Sequence, residues 1–254
     1  MKNGNWSAAQ KGYNGTFTED GKIESTIPQY IKEETDDNFI EVTDLTYLFY
    51  NCTELTEMPQ IPSTIKKMSN TFLNCSNLKL VSAIPNGVEE LTSTFSGCTS
   101  LIEMPDIPNS VTNMAQAFYN CTNLQTVINL PSSVTNMKET FRGCTSLMTI
   151  SNIPENVENM ELTFYNCTNL KNVPEIPSRV TNMKETFSEC SNLTGTIIIN
   201  ANLSGAIISG NENDYHAIFW NAATNPGCEI KLTGTCPMLE NIVKSTNKSN
   251  ITLL

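Results

Sequence analysis

The sequence predicts a repeat solenoid: short strands and short helical or 3₁₀ turns wound into stacked 23-residue coils, with a mixed α/β cap at the C-terminal end. Three observations predict it. Seven of the nine cysteines, Cys52, Cys75, Cys98, Cys121, Cys144, Cys167 and Cys190, are separated by uniform gaps of 23 residues. Phe72, Phe95, Phe118, Phe141, Phe164 and Phe187 stand three places before a cysteine, and Pro62, Pro85, Pro108, Pro131, Pro154 and Pro177 ten places after one. The stretch SVTNMKETFRGCTSL at 133–147 returns as RVTNMKETFSECSNL at 179–193. Self-similarity at a period between 20 and 50 marks a chain whose units bury their apolar edges only against their neighbours.

Spacing inside one unit gives the shape of a coil. After Cys121 the apolar columns are Leu124, Val127, Leu130, Val134, Met137, Phe141 and Cys144, in steps of 3 or 4. Neither strict alternation nor a sustained 3.6 period yields that series. A proline in each unit excludes a continuous helix, because it removes a donor and clashes with the preceding turn. The spacing predicts extended pieces at L-x-x-V and V-T-N-M, and a short helix or 3₁₀ turn at K-E-T-F. Coils stacked at the strand spacing of about 4.8 Å give a repeat body roughly 29 Å long from Cys52 to Cys190. Phe, Cys, Leu and Met then form internal ladders, and Asn113, Asn136, Asn159 and Asn182 are placed to ladder through their amides. The alternation Gly97, Asn120, Gly143, Asn166 reads as the trace of a duplicated pair of units.

The pattern C-T-N-L-x-x-V-x-x-x-P-x-x-V-x-x-M-x-x-x-F-x-x-C resembles the BspA-like, or treponemal-type, leucine-rich repeat over about residues 42–196. The resemblance implies a single leucine-rich-repeat β-solenoid of right-handed type. It also implies the setting of that family: bacterial surface or secreted proteins that act in adhesion or protein contacts and share no catalytic residues. Where the family writes Ile-Gly before an Ala-Phe pair, this chain has Met without Gly, and Thr or Ala before Phe.

Open solenoid ends expose core and strand edges, so atypical ends are expected. Residues 1–41 read as a polar lead with a degenerate first turn, 42–196 as the solenoid, and 197–254 as the C-terminal cap. Within the cap, CEIKLTG reads as a strand, PMLENIVKST as a helix and NITLL as a final strand.

Composition narrows the function. A net charge of −11 argues against nucleic acid, which needs a basic patch, and against anionic lipid. Nothing approaches the roughly 18 apolar residues of a membrane span. The start, MKNGNWSAAQ, lacks the apolar region of a signal peptide, which fits either a cytoplasmic protein or a piece separated from its targeting segment.

No catalytic, metal or cofactor site is expected. In-register cysteines point the same way and read as buried thiols, and CxxC spacing is absent. Cys228 and Cys236 flank one strand and read as two separate thiols, a bridge being the alternative. His216 is the single histidine and reads as a surface or capping residue. Glu57, Glu103, Asp106 and Glu175 are scattered rather than paired, and GNENDY at 210–215 reads as a polar loop without calcium-loop spacing. Asn51, Asn74, Asn120 and Asn166 match the glycosylation pattern but read as turn residues.

One constellation remains. The position after the phenylalanine column reads Tyr50, Leu73, Ser96, Tyr119, Arg142, Tyr165, Ser188, and is expected on the outer surface. Stacking places Arg142 between Tyr119 and Tyr165. That arrangement stabilises a coil through cation–π contact, and it also offers the residue types that dominate binding hot spots. The functional expectation is therefore a non-catalytic adhesion or contact protein with Tyr119, Arg142 and Tyr165 as partner-binding residues for a protein or glycan. The alternative is a structural spacer or assembly subunit of a cell-envelope structure.

Overall fold

The structure is a computed structural model and describes residues 18–23, 26–32, 39–200, 218–219, 222, 228–232 and 251–253. Strands β1 (Tyr30–Lys32) and β2 (Phe39–Glu41) pair antiparallel ahead of the repeats. Strands β3 (Thr126–Val127) and β4 (Thr149–Ile150) pair parallel on successive coils. A three-stranded parallel sheet of β5 (Gly195–Ile199), β6 (Cys228–Leu232) and β7 (Ile251–Leu253) follows the last repeat. Isolated parallel bridges such as Asn113↔Asn136 and Asn136↔Asn159 join the V-T-N-M segments at the 23-residue offset. Both extended pieces expected of a coil are therefore present.

The core is a set of axial columns. Phe49, Phe72, Phe95, Phe118, Phe141, Phe164 and Phe187 are fully buried, with ring centroids 5.3–5.8 Å apart and planes within 10° of parallel. Val111, Val134, Val157 and Val180 line another column, and Met114, Met137, Met160 and Met183 a third. Since each coil is too thin to enclose a core of its own, this burial exists only because coils stack.

The corner at K-E-T-F is not the short helix or 3₁₀ turn that the spacing predicts, and no helix occurs among the described residues. Alternate N–H groups there go to different places. Thr140, Arg142 and Cys144 donate to Met137, Glu139 and Phe141, three residues back. Between them Glu139, Phe141 and Gly143 donate to Glu161, Thr163 and Tyr165 on the next coil, at 2.8–3.0 Å. A helix directs all its N–H groups along its own axis, so it would leave the next coil without donors. Left-handed residues allow the alternation: Tyr47, Asn70, Ser93, Gln116, Glu139, Leu162 and Glu185, again 23 apart, have φ between 52° and 61°. Such a backbone costs about 1–2 kcal/mol per L-residue. It persists here because it satisfies buried backbone groups.

A second left-handed position precedes each cysteine. Asn51, Asn74, Asn120 and Asn166 occupy it with φ of 54–62°, and Gly97 and Gly143 with φ of 73° and 75°. The turn reading of these asparagines agrees with this backbone, since Asn tolerates the left-handed region. Asn74 follows Asn51 in this column and donates to its Oδ1 at 3.0 Å, but the glycines are packed closely. A β-carbon on Gly97 or Gly143 would collide with the side-chain oxygen of Asn74 or Asn120 on the preceding coil.

Buried hydroxyls and thiols tie coils together from inside. Thr94, Thr140, Thr163 and Thr186 donate to the carbonyls of Met68, Met114, Met137 and Met160, at 2.7–2.8 Å. Cys75, Cys98, Cys121, Cys144, Cys167 and Cys190 donate through Sγ to phenylalanine carbonyls 26 residues earlier, at 3.0–3.2 Å. The expected continuous asparagine amide ladder is not formed. Asn136 Nδ2 donates to Asn113 Oδ1 at 3.1 Å, whereas Asn182 Nδ2 turns to Glu161. Each Oδ1 is drawn into a local turn, accepting the N–H two residues on, as Asn159 does from Glu161 at 2.9 Å.

Coil stacking continues past Cys190 at irregular offsets. Phe187 donates its N–H to Ile218 and stacks on Phe219, and Ala222 sits three places later, where the cysteine column would continue. β5 and β6 register as Gly195↔Cys228, and β6 and β7 as Ile230↔Ile251. The strands expected at CEIKLTG and NITLL are β6 and β7. The expected PMLENIVKST helix, GNENDY, His216 and Cys236 lie outside the described residues. Cys228 is buried at the start of β6.

Candidate functional site

The corner that follows each phenylalanine carries the tyrosine and arginine singled out in the sequence. Inward Phe118, Phe141 and Phe164 fix their neighbours in a row on successive coils. The structure brings all three residues together. The Arg142 guanidinium carbon lies 5.5 Å from the Tyr119 ring centroid and 4.8 Å from that of Tyr165. Its Nη1 also donates to Glu139 Oε2 at 3.0 Å, and the Glu139 side chain is only 12% exposed. A guanidinium stays charged at any physiological pH. Its position is set by two rings and one carboxylate.

The row is less exposed than expected. Tyr50 is exposed, but Leu73, Tyr119, Arg142 and Tyr165 are half-buried, while Ser96 and Ser188 are buried. The outward position after each phenylalanine lies in the crook of the corner, where the left-handed residue three places before that position folds back. Long side chains reach the surface from there and serines do not. Next to the row, Lys138 Nζ pairs with Glu161 Oε2 at 3.2 Å, and Ser93 Oγ donates to Gln116 Oε1 at 3.0 Å. The arrangement holds a fixed positive charge between two half-buried tyrosine rings.

The thiol column has a different chemistry. Burial pushes every thiol from Cys52 to Cys190 upward, Cys52 to about 11 and Cys190 to about 12. Nucleophilic attack and metal ligation both need thiolate, so at neutral pH the column acts as packing. Among the described residues no group of three His, Cys, Asp or Glu side chains is placed to hold a metal. No described helix is long and apolar enough to cross a membrane. At the N-terminal end, Lys22, Ile27, Glu57 and Met58 line a shallow cleft, across which Lys22 and Glu57 pair at 2.8 Å.

The model of the BspA type leucine rich repeat region matches residues 45–171 and 114–207, in six copies. No curated protein is significantly similar in sequence. Two solved structures are similar. A leucine-rich repeat protein of T. pallidum superposes with a TM-score of 0.56 at 24% identity, over 66% of this chain and 91% of its own. A protein of Faecalibacterium prausnitzii described as a leucine rich cell surface protein gives 0.57 at 29% identity, over 70% of this chain and 47% of its own.

Proposed function

Because the chain belongs to the BspA-type leucine-rich repeat family, we propose that it is a non-catalytic contact module of a bacterial surface or secreted protein. It grips a partner through its repeat-built side, in adhesion or in protein and glycan contacts, with Tyr119, Arg142 and Tyr165 as the contact patch. One observation carries this reading. Arg142 is held between two tyrosine rings and anchored by Glu139, so a partner would meet an already ordered patch. Preordered Tyr and Arg side chains lose little entropy on binding and are the residue types that concentrate binding energy. The cell-surface description of the F. prausnitzii protein supports the location.

The unbroken phenylalanine stack from Phe49 to Phe219 favours a second reading, a spacer or assembly subunit of the cell envelope. An array of extracellular proteins and glycans, probed with wild type and with a Tyr119→Ala, Tyr165→Ala double variant, separates the two. The contact reading expects hits that the variant loses while its Tm stays within a few degrees. Hits retained by the variant would move the site elsewhere. An empty array, or a large Tm loss without a specific binding loss, would return the trio to scaffolding.

A further inference from the structure

Seven residues beyond the phenylalanine corner, in the L-x-x-V segment, a different column faces solvent. It consists of Lys79, Ile102, Gln125, Met148 and Lys171, each exposed and one coil apart. From Ile102 onward its backbone is bonded coil to coil: Gln125 donates to Ile102, Met148 to Gln125 and Lys171 to Met148, at 2.9–3.1 Å. Ile102 is 46% and Met148 38% exposed, and Leu80, next to Lys79 in the adjoining column, is exposed as well. Single exposed apolar residues are ordinary. This column differs because it is in register over five successive coils, carries an apolar side chain on each side of Gln125, and is bracketed at both ends by lysine.

The charges give the strip its direction. In a chain of net charge −11, neither Lys79 nor Lys171 has a carboxylate partner among the described residues. Four coil intervals separate them by roughly 19 Å, the span of about six residues of extended peptide. Among the described residues, Glu103 adjoins Ile102 and would repel an acidic group there, while Glu57, bridged to Leu80 at the Lys79 end, is paired with Lys22.

We infer that this column is a docking strip for an extended segment of a partner protein that carries a carboxylate at each end and apolar side chains between them. The strip is separate from the Tyr119–Arg142–Tyr165 patch and does not depend on it. Apolar contact along Ile102 and Met148 supplies affinity, and the two ammonium groups set register and select against basic segments.

A displayed library of random nine-residue peptides, selected on the full chain, tests this. Enriched peptides should carry Asp or Glu five to seven positions apart with apolar residues between. A synthetic enriched peptide should bind at least tenfold more weakly to a Lys79→Glu, Lys171→Glu variant and to an Ile102→Ser, Met148→Ser variant. It should bind unchanged to the Tyr119→Ala, Tyr165→Ala variant, and lose affinity as salt rises. All substituted side chains in the first two variants are exposed, so unchanged Tm values would confirm folding. No enrichment, enrichment of neutral or basic peptides, or equal affinity for wild type and both strip variants would overturn the inference. So would a concentration-dependent dimer, seen by sedimentation, that Lys79→Glu, Lys171→Glu dissolves, because the occupant would then be a second copy of this chain.

Discussion

Phe187 stacks on Phe219 with ring centroids 5.4 Å apart, although 32 residues separate them where every earlier pair is separated by 23. The column therefore outlasts the sequence period that builds it. Removing a ring from its middle should cost more than removing one from its end. Phe141→Ala is expected to lower stability by roughly 3–5 kcal/mol, as buried large-to-small changes do. Phe219→Ala, at a partly buried site, should cost less. Denaturant midpoints check the order, and equal midpoints for wild type and Phe141→Ala would refute the stack.

The asparagine–glycine pairs make a coupled prediction. Gly143→Ala suffers both a left-handed backbone and a collision with the Asn120 side chain. In an Asn120→Ala background only the backbone cost, about 1–2 kcal/mol, should remain. A double-mutant cycle by thermal unfolding should give a coupling above 0.5 kcal/mol, as contacting residues do.

The threonine column has one gap. Ala117 occupies the position of Thr94 and Thr140, fully buried, without a hydroxyl to reach the preceding coil. Ala117→Thr should place its hydroxyl near the Leu91 carbonyl and raise stability by about 1 kcal/mol, the net worth of an intramolecular hydrogen bond. The reverse change at an occupied rung, Thr140→Val, should lower it by about 1–3 kcal/mol by leaving the Met114 carbonyl without that donor. Urea unfolding of both variants measures the pair.

The thiols predict base lability. Their ordinary value is 9.0, and burial raises them in the folded chain, so above about pH 9 the unfolded state releases protons that the folded state keeps. Stability is then complete below pH 9 and falls as pH rises towards the folded values, by about 1.4 kcal/mol per pH unit for each buried thiol. Cys144→Ala should flatten the decline between pH 9 and 11 relative to wild type. Identical slopes would show that the column does not set it.

The columns were legible because a fixed period puts every Phe, Cys, Val and Met into register whatever the local conformation. The corner was not. Leu162 and Tyr47 take the left-handed conformation against their own preference, because the backbone of the next coil needs their neighbours' N–H groups. Local sequence at K-E-T-F pointed to a helical turn, and only inter-coil bonding overrides it. The alternation of Gly97 and Gly143 with Asn120 read as ancestry, and the close packing of these glycines on Asn74 and Asn120 was hidden because it lies between coils. Phe219 and Ala222 were missed because their offset breaks the period. Of the candidate contact patch, the identity of the trio and its stacking were readable from spacing. The half-burial and the Glu139 anchor depend on the fold of the corner.

Buried Sγ–H and Oγ–H groups donate back to the coil before, while Glu139, Phe141 and Gly143 donate backbone N–H groups to the coil after. Each junction is thus sewn from both sides, and the interior junctions share the same stitches except at Ala117, which lacks the hydroxyl. A pull along the solenoid axis would load one junction at a time, so resistance would not grow with length. A pull across the axis would load many junctions together, so resistance would grow with the number of coils. A chain built this way can lengthen by whole coils to meet sideways drag, with no change in the cross-section it shows to a partner.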